Sequence, residues 1–162
     1  MIAWVWVSLF ALAAEGSDDR TPVEISAKGG MSVDLEKGLG RAEGDVVIRR
    51  RDLVVCCDRA EAVYAKGQIR AVACRGNVVI RRTDGTRIVA EQVNFQPGRK
   101  RLALSGRVKV WRSDGQLTGD RMTYALDTGR LEVRGARSTL KLTPDGDPPP
   151  AAPKCPRPQG TP

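Results

Sequence analysis

Three carboxylates, Asp58, Glu91 and Asp120, are the residues whose type and spacing first raise the question of chemistry. Paired carboxylates act as acid and base when their surroundings hold the two pKa values apart. These three instead occupy one place in a recurring pattern: Val55-x-Cys57-Asp58-x-Ala60-x-Ala62, Ile88-x-Ala90-Glu91-x-Val93-x-Phe95 and Leu117-x-Gly119-Asp120-x-Met122-x-Tyr124. Spaced 33 and 29 residues apart, they should stack as a ladder and serve structure. Histidine is absent. That removes Ser-His-Asp and Cys-His pairs and leaves zinc only thiolates and carboxylates. The four cysteines have no C-x-x-C spacing of the metal or redox kind. Neither an enzyme nor a cofactor site is expected.

The elements that position these residues are repeats. Gly44-Asp45-Val46-Val47-Ile48, Gly76-Asn77-Val78-Val79-Ile80 and Gly106-Arg107-Val108-Lys109-Val110 share a glycine, a polar residue and apolar side chains two and four places on. Gly135 closes the series, at intervals of 32, 30 and 29 residues, which is a supersecondary period. In each acid segment the apolar positions before and after the acid have opposite parity. A β-bulge at the acid, adding one residue, would keep them all on the inner face. Leu102, Leu104, Gly106, Val108 and Val110 keep one parity, as do Val72, Cys74, Gly76, Val78 and Ile80, so a long half-buried strand crosses each glycine. Turns fall at Lys66-Gly67, Asp84-Gly85, Pro97-Gly98, Asp114-Gly115 and Thr128-Gly129. No ten-residue segment has a clear helical period. The domain is therefore all-β, built from about four repeated two-strand units, the first a degenerate copy in which Lys28 stands where the acid should be.

At 162 residues the chain holds one domain. Residues 1–14 suit a secretory signal ending in Ala11-Leu12-Ala13, or an uncleaved anchor; a buried strand is the third reading. Thirteen apolar or small residues fall short of the roughly 20 that a membrane-spanning helix takes. Residues 15–22 are a linker, 23–142 the β-domain, and 143–162, with eight of the ten prolines, a tail that cannot join a sheet. A net charge of +8 favours an anionic partner.

The inward positions assemble two walls: Val46, Ile48, Val78, Ile80, Val108 and Val110 on one, Val55, Ile88, Leu117, Ala62, Phe95 and Tyr124 on the other. They make either a closed sandwich core or a splayed groove for an apolar ligand, and the pattern fits both. Arg50, Arg82 and Arg112 each follow a unit glycine by six places, at one rim, as solvated strand ends or as guanidinium forks for lipid phosphate. A hairpin at Lys66-Gly67 would set Cys57 beside Cys74. In an oxidising compartment this predicts a disulfide, against two buried thiols. Cys56 would face outward, and Cys155 lies in the tail.

The repeated G-[DN]-V-x-[IV] and [AG]-[DE]-x-x-x-[YF] segments, with the hydrophobic start, resemble the periplasmic lipopolysaccharide-transport proteins of the LptA/OstA type, from about Val23 to Leu142. The resemblance implies an open V-shaped antiparallel β-jellyroll in the periplasm, without cofactor or metal, whose greasy interior shields lipid A acyl chains. It also implies end-to-end assembly with itself and with related jellyroll domains of inner- and outer-membrane components, bridging the two membranes. The edges for that assembly would be the strands near Val23 to Ala27 and Ser138 to Leu142, by β-augmentation. The alternatives are a membrane-anchored partner of the same fold and, from another class, a secreted basic β-domain binding polyanions. With two tyrosines, two phenylalanines and three tryptophans, two of them in the leader, stacking platforms for nucleic acid are scarce, and none is expected as partner.

Overall fold

The structure, a computed structural model, describes residues 22–135 and 139–142. Within them, side chains that alternate between apolar and polar form strands β1 (Glu24–Ser26), β2 (Met31–Asp34), β3 (Leu39–Arg50), β4 (Leu53–Ala65), β5 (Gln68–Arg82), β6 (Arg87–Gln96), β7 (Arg101–Arg112), β8 (Gly115–Ala125), β9 (Leu131–Arg134) and β10 (Thr139–Leu142). Strands β3 to β8 pair in sequence order as antiparallel hairpins. Strands β1 and β2 cover the two halves of β3, and β9 and β10 the two halves of β8. The single sheet stays open and does not close into a barrel. At the expected Lys66-Gly67 turn both residues take positive φ, 53° and 70°, which matches the twist of the flanking strands.

Each long glycine strand bends at its glycine. The register between β3 and β4 shifts between Glu43 and Val46, and equivalent shifts occur at Arg75/Val78 and Ser105/Val108. In each case a glycine and its successor (Gly44-Asp45, Gly76-Asn77, Gly106-Arg107) adopt positive φ opposite a single acid. The bulge lies at the acid, as the parity implies, but the added residue belongs to the glycine strand. The physical reason is conformational: two successive left-handed residues are most easily started at glycine, which has no Cβ to clash.

The acids then tile the bend. Asp58 packs over Gly76 and accepts a hydrogen bond from Asn77 Nδ2 at 2.9 Å. Glu91 packs over Gly106 and pairs with Arg107 Nε at 2.8 Å, and Asp120 packs over Gly135. In the degenerate first copy the charges are exchanged, with Lys28 Nζ 2.9 Å from Asp45. Successive carboxylates sit on alternate strands, so they are about 10 Å apart at the usual strand spacing. Each acid engages its own bend, so no two of them have the distinct acid and base surroundings that a glycosidase pair requires.

Because every strand bends along this line, one sheet becomes two facing walls. Wall A combines the segments after the glycines, 46–50, 78–82 and 108–112, with the starts of β4, β6 and β8. Wall B combines the starts of β3, β5 and β7 with the ends of β4, β6 and β8. A jellyroll-like V results.

Candidate functional site

The inner faces of the walls form one apolar cluster. Val46, Ile48, Val55, Ala62, Val78, Ile80, Ile88, Phe95, Val108, Val110 and Tyr124 are all buried in it, and Leu117 packs against it half-buried. All twelve residues expected to line the interior are thus brought together, but not on the walls expected. Val55, Ile88 and Leu117 pair with Ile48, Ile80 and Val110 and so stand on wall A, because the bend falls after them in β4, β6 and β8. Only Ala62, Phe95 and Tyr124 face them from wall B. The larger further members of the cluster are Leu53 on wall A and Val72, Val93, Leu102, Leu104 and Met122 on wall B. Their signal was parity along each strand, the same alternation that placed the others.

The middle of the V is packed shut. Ile80, Ile88, Leu102 and Val108 are fully buried, and the space beneath Arg50 and Phe95 measures about 20 Å³. That is room for about one water, not an acyl chain. The ends differ. Met31 and Val33 share the inner face with their partners Ala42 and Gly40, and Leu140 shares it with Leu117, yet these three are about 60% exposed. Leu142, on the same face of β10, is exposed as well. The interior therefore opens at two mouths, one beneath β2 and one beneath β10.

Arg50, Arg82 and Arg112 do meet at one rim of wall A, but they are already engaged. The Arg82 guanidinium donates to Asp52 Oδ2 at 3.2 Å and lies 3.2 Å from Asp84 Oδ2. It also hydrogen-bonds the Tyr124 hydroxyl across the V and stacks on that ring at 5.4 Å. Arg50 lies 5.7 Å from the Phe95 ring, again from wall A to wall B. Arg112 pairs with Asp114 at 3.3 Å. Two cation–π contacts thus bridge the walls, each worth about 0.5 to 2 kcal/mol.

This rim responds to acid. Burial alone would push the Asp84 carboxyl up, but the Thr86 backbone N–H and hydroxyl, with the charges of Arg82 and Arg112, hold it below the usual range. A depressed folded value stabilises at neutral pH and is lost as pH falls through it. Asp84→Asn should therefore cost a constant increment above about pH 5 that fades below about pH 4. Since the group is half-exposed, the increment should stay under about 1 kcal/mol. Urea titrations of both proteins between pH 2 and 7 measure it, and a difference that does not vary with pH would refute the assignment.

The cysteines depart from expectation. Cys57 and Cys74 are both buried thiols, not a disulfide. The bend brings them side by side as predicted, and they hydrogen-bond. The Cys74 hydrogen bond lowers the Cys57 thiol and the same bond, with burial, raises that of Cys74. Cys56, on the opposite face, is the disulfide-bonded one. Residues 1–21, 136–138 and 143–162, with the expected signal, the expected tail and Cys155, lie outside the described residues; of the expected C-terminal edge, 139–142 is described.

The family model of the LptA/LptD N-terminal-domain lipopolysaccharide transport proteins matches residues 24–130. No curated protein matches. In structure the chain is similar to LptH of Pseudomonas aeruginosa, the LptA-homologous periplasmic component of the conserved lipopolysaccharide transport device, with a TM-score of 0.72 and 15% identity over 80% of this chain and 100% of that one. At that identity the likeness establishes the fold. The family model spans well over half the sequence: the chain belongs to the LptA/LptD N-terminal-domain family of lipopolysaccharide transport proteins.

Proposed function

We propose that this protein carries lipopolysaccharide in the periplasm with the acyl chains held between walls A and B, and that it joins end to end with copies of itself and with related jellyroll domains of the inner- and outer-membrane machinery. The observation that carries this reading is one apolar interior, covered in its middle and exposed at both mouths, through Met31 and Val33 at one and Leu140 and Leu142 at the other. A mouth of this kind is incomplete alone. Abutted on a second jellyroll it becomes a continuous lining, and strand edges β1 with β2 and β9 with β10 supply the backbone donors and acceptors.

The energetics favour it. An acyl chain of about 12 carbons gains on the order of 10 kcal/mol by leaving water, at about 0.8 kcal/mol per CH₂. Parting the rim costs two cation–π contacts, or a few kcal/mol. Separated wall faces would then bury acyl chains in place of one another. No nucleophile, metal or cofactor takes part.

Arg50, Arg82 and Arg112 are the proposed phosphate contacts. Because Asp52, Asp84 and Asp114 already face Arg82 and Arg112, a lipid phosphate would exchange for a carboxylate. Charge reversal at all three should weaken lipopolysaccharide binding, and unchanged binding would reject this role.

The experiment is to purify the mature protein from its native envelope and analyse the extracted lipid by mass spectrometry, with sedimentation over a range of concentrations. Lipid A species and concentration-dependent association are expected. Salt-sensitive polyanion binding without lipid, from a strict monomer, would overturn the proposal.

A further inference from the structure

The outer faces of the two walls differ in charge. Wall B mixes both signs, and there Arg41 pairs with Glu61 and Arg59 with Glu43, each at 3.7 Å. Among the described strand residues of wall A, with β1 and β10 included, the sole carboxylate is Glu24. Against it the outer face carries Arg49, Arg81, Arg87, Lys109 and Lys141. Arg81 and Arg87 even stand directly opposite each other, a juxtaposition of like charges that costs stability.

Two of these cations flank a depression. Between β7, β8 and β10 the outer face is hollowed by about 270 Å³, lined by Lys109, Gln116, Thr118, Thr139 and Lys141. The register explains its shape. Lys109, Thr118 and Thr139 form one cross-strand row, and Trp111, Gln116 and Lys141 the next, so two short threonines lie side by side below longer neighbours. The lysines sit at opposite corners, with Cα atoms about 12 Å apart at the usual strand spacing and rise. Two flexible stems can bring both ammoniums over the threonines. All five side chains carry N–H or O–H donors, and among the described residues none of them makes a hydrogen bond or an ion pair. Asp120, farther along β8, is committed to Gly135 at the bend. Beside Gln116, the Trp111 indole N–H is buried and also lacks an acceptor.

We propose that this depression binds a phosphate ester, held by the Lys109 and Lys141 ammoniums and by the Thr118 and Thr139 hydroxyls. A phosphate group gathers charge and several acceptor oxygens at one point, which is what two cations and a set of unmet neutral donors complement. The volume far exceeds the roughly 15 Å³ that one water needs, so the alcohol part of an ester has room beside the phosphate. Arg81 and Arg87 extend the positive field along the same face and draw anions towards it. A lipid carried between the walls lies on the other side of the sheet, so this site goes beyond the trough and does not rest on it. Its ligand has two sources: a phospholipid headgroup, with wall A lying against an anionic leaflet, or a free phosphate ester.

Nuclear magnetic resonance titration of the full mature chain with glycerol 3-phosphate, alongside co-sedimentation with phosphatidylglycerol vesicles, tests this. Saturable shifts of the Thr118 and Thr139 amides and of the Trp111 indole N–H, absent with glycerol, would support the site with a free ester as ligand. Co-sedimentation without those shifts would support it with a headgroup as ligand, provided that binding is lost in the double variant Lys109→Gln, Lys141→Gln. That variant should weaken either interaction roughly tenfold or more, the equivalent of one charged hydrogen bond. Its thermal unfolding should match wild type, since both lysines are exposed. Thr118→Val should weaken binding several-fold. The proposal is overturned if neither ligand binds, if glycerol shifts the same resonances, or if the double variant binds as well as wild type. Lipid in the trough reports instead at Phe95 and Val78, so failure of one reading leaves the other standing.

Discussion

Gly106→Ala is expected to destabilise the domain by on the order of 3 kcal/mol, the sum of two costs. Gly106 has φ of 81°, where an alanine is strained by about 1 to 2 kcal/mol. A Cβ there would also lie 2.6 Å from Glu91 Cβ, which is fixed to the neighbouring strand and cannot swing away. The control is Gly67→Ala. Gly67 has a similar φ of 70° but open space around its Cβ position, so only the strain, about 1 kcal/mol, should appear. Glu91→Ala removes an exposed ion pair and should cost about 0.5 kcal/mol. Thermal unfolding separates them: about 10 °C lost for Gly106→Ala against about 3 °C for Gly67→Ala, at 2 to 4 °C per kcal/mol. Equal losses would mean that the acid and glycine do not interlock at the bend.

Val33→Asp and Leu140→Asp should show the opposite profile, leaving stability nearly untouched while removing transport. Both side chains face inward at a mouth yet are largely exposed in the single domain, so a carboxylate remains hydrated and stability should stay within about 0.5 kcal/mol of wild type. Once an acyl chain or the mouth of a second jellyroll arrives, that carboxylate must be stripped of water at a cost of several kcal/mol. Transfer of lipopolysaccharide from a loaded to an empty domain should fall about 100-fold, the equivalent of about 2.8 kcal/mol. End-to-end association should weaken in parallel in sedimentation experiments. Val33→Ile should retain both. Normal transfer by the aspartate variants would show that lipid does not pass these ends.

What could be read from the residues was whatever one parity or one glycine determines. The glycine repeat located the bend because two left-handed residues in succession have few other solutions. Alternation put the twelve side chains on the inner face but assigned Val55, Ile88 and Leu117 to the wrong wall, since parity gives a face and not the side of the bend. The strand that holds the extra residue was not legible. An acid opposite a glycine is compatible with either, and only the positive φ of Asp45, Asn77 and Arg107 decides. Strand β2 was not separated from β1 within the degenerate first copy, because an edge of four residues with no buried side chain carries little periodicity. The burial of Val47, Cys56 and Val79 on the outer face of wall A did have a signal: Val46-Val47, Val54-Val55, Val78-Val79 and Ile88-Val89 are apolar doublets, and a strand apolar on consecutive residues is covered on both faces. The expected Cys57–Cys74 bond rested on proximity, which the structure has. Proximity does not settle pairing when a vicinal cysteine points to the other side.

The most direct measurement places a photo-activated crosslinking residue at Phe95 or Val78 on the inner face, or at Thr118 on the outer face, in cells exporting lipopolysaccharide. Phe95 and Val78 should capture lipopolysaccharide while Thr118 does not. Capture from Thr118 with none from inside would contradict a lipid held between the two walls.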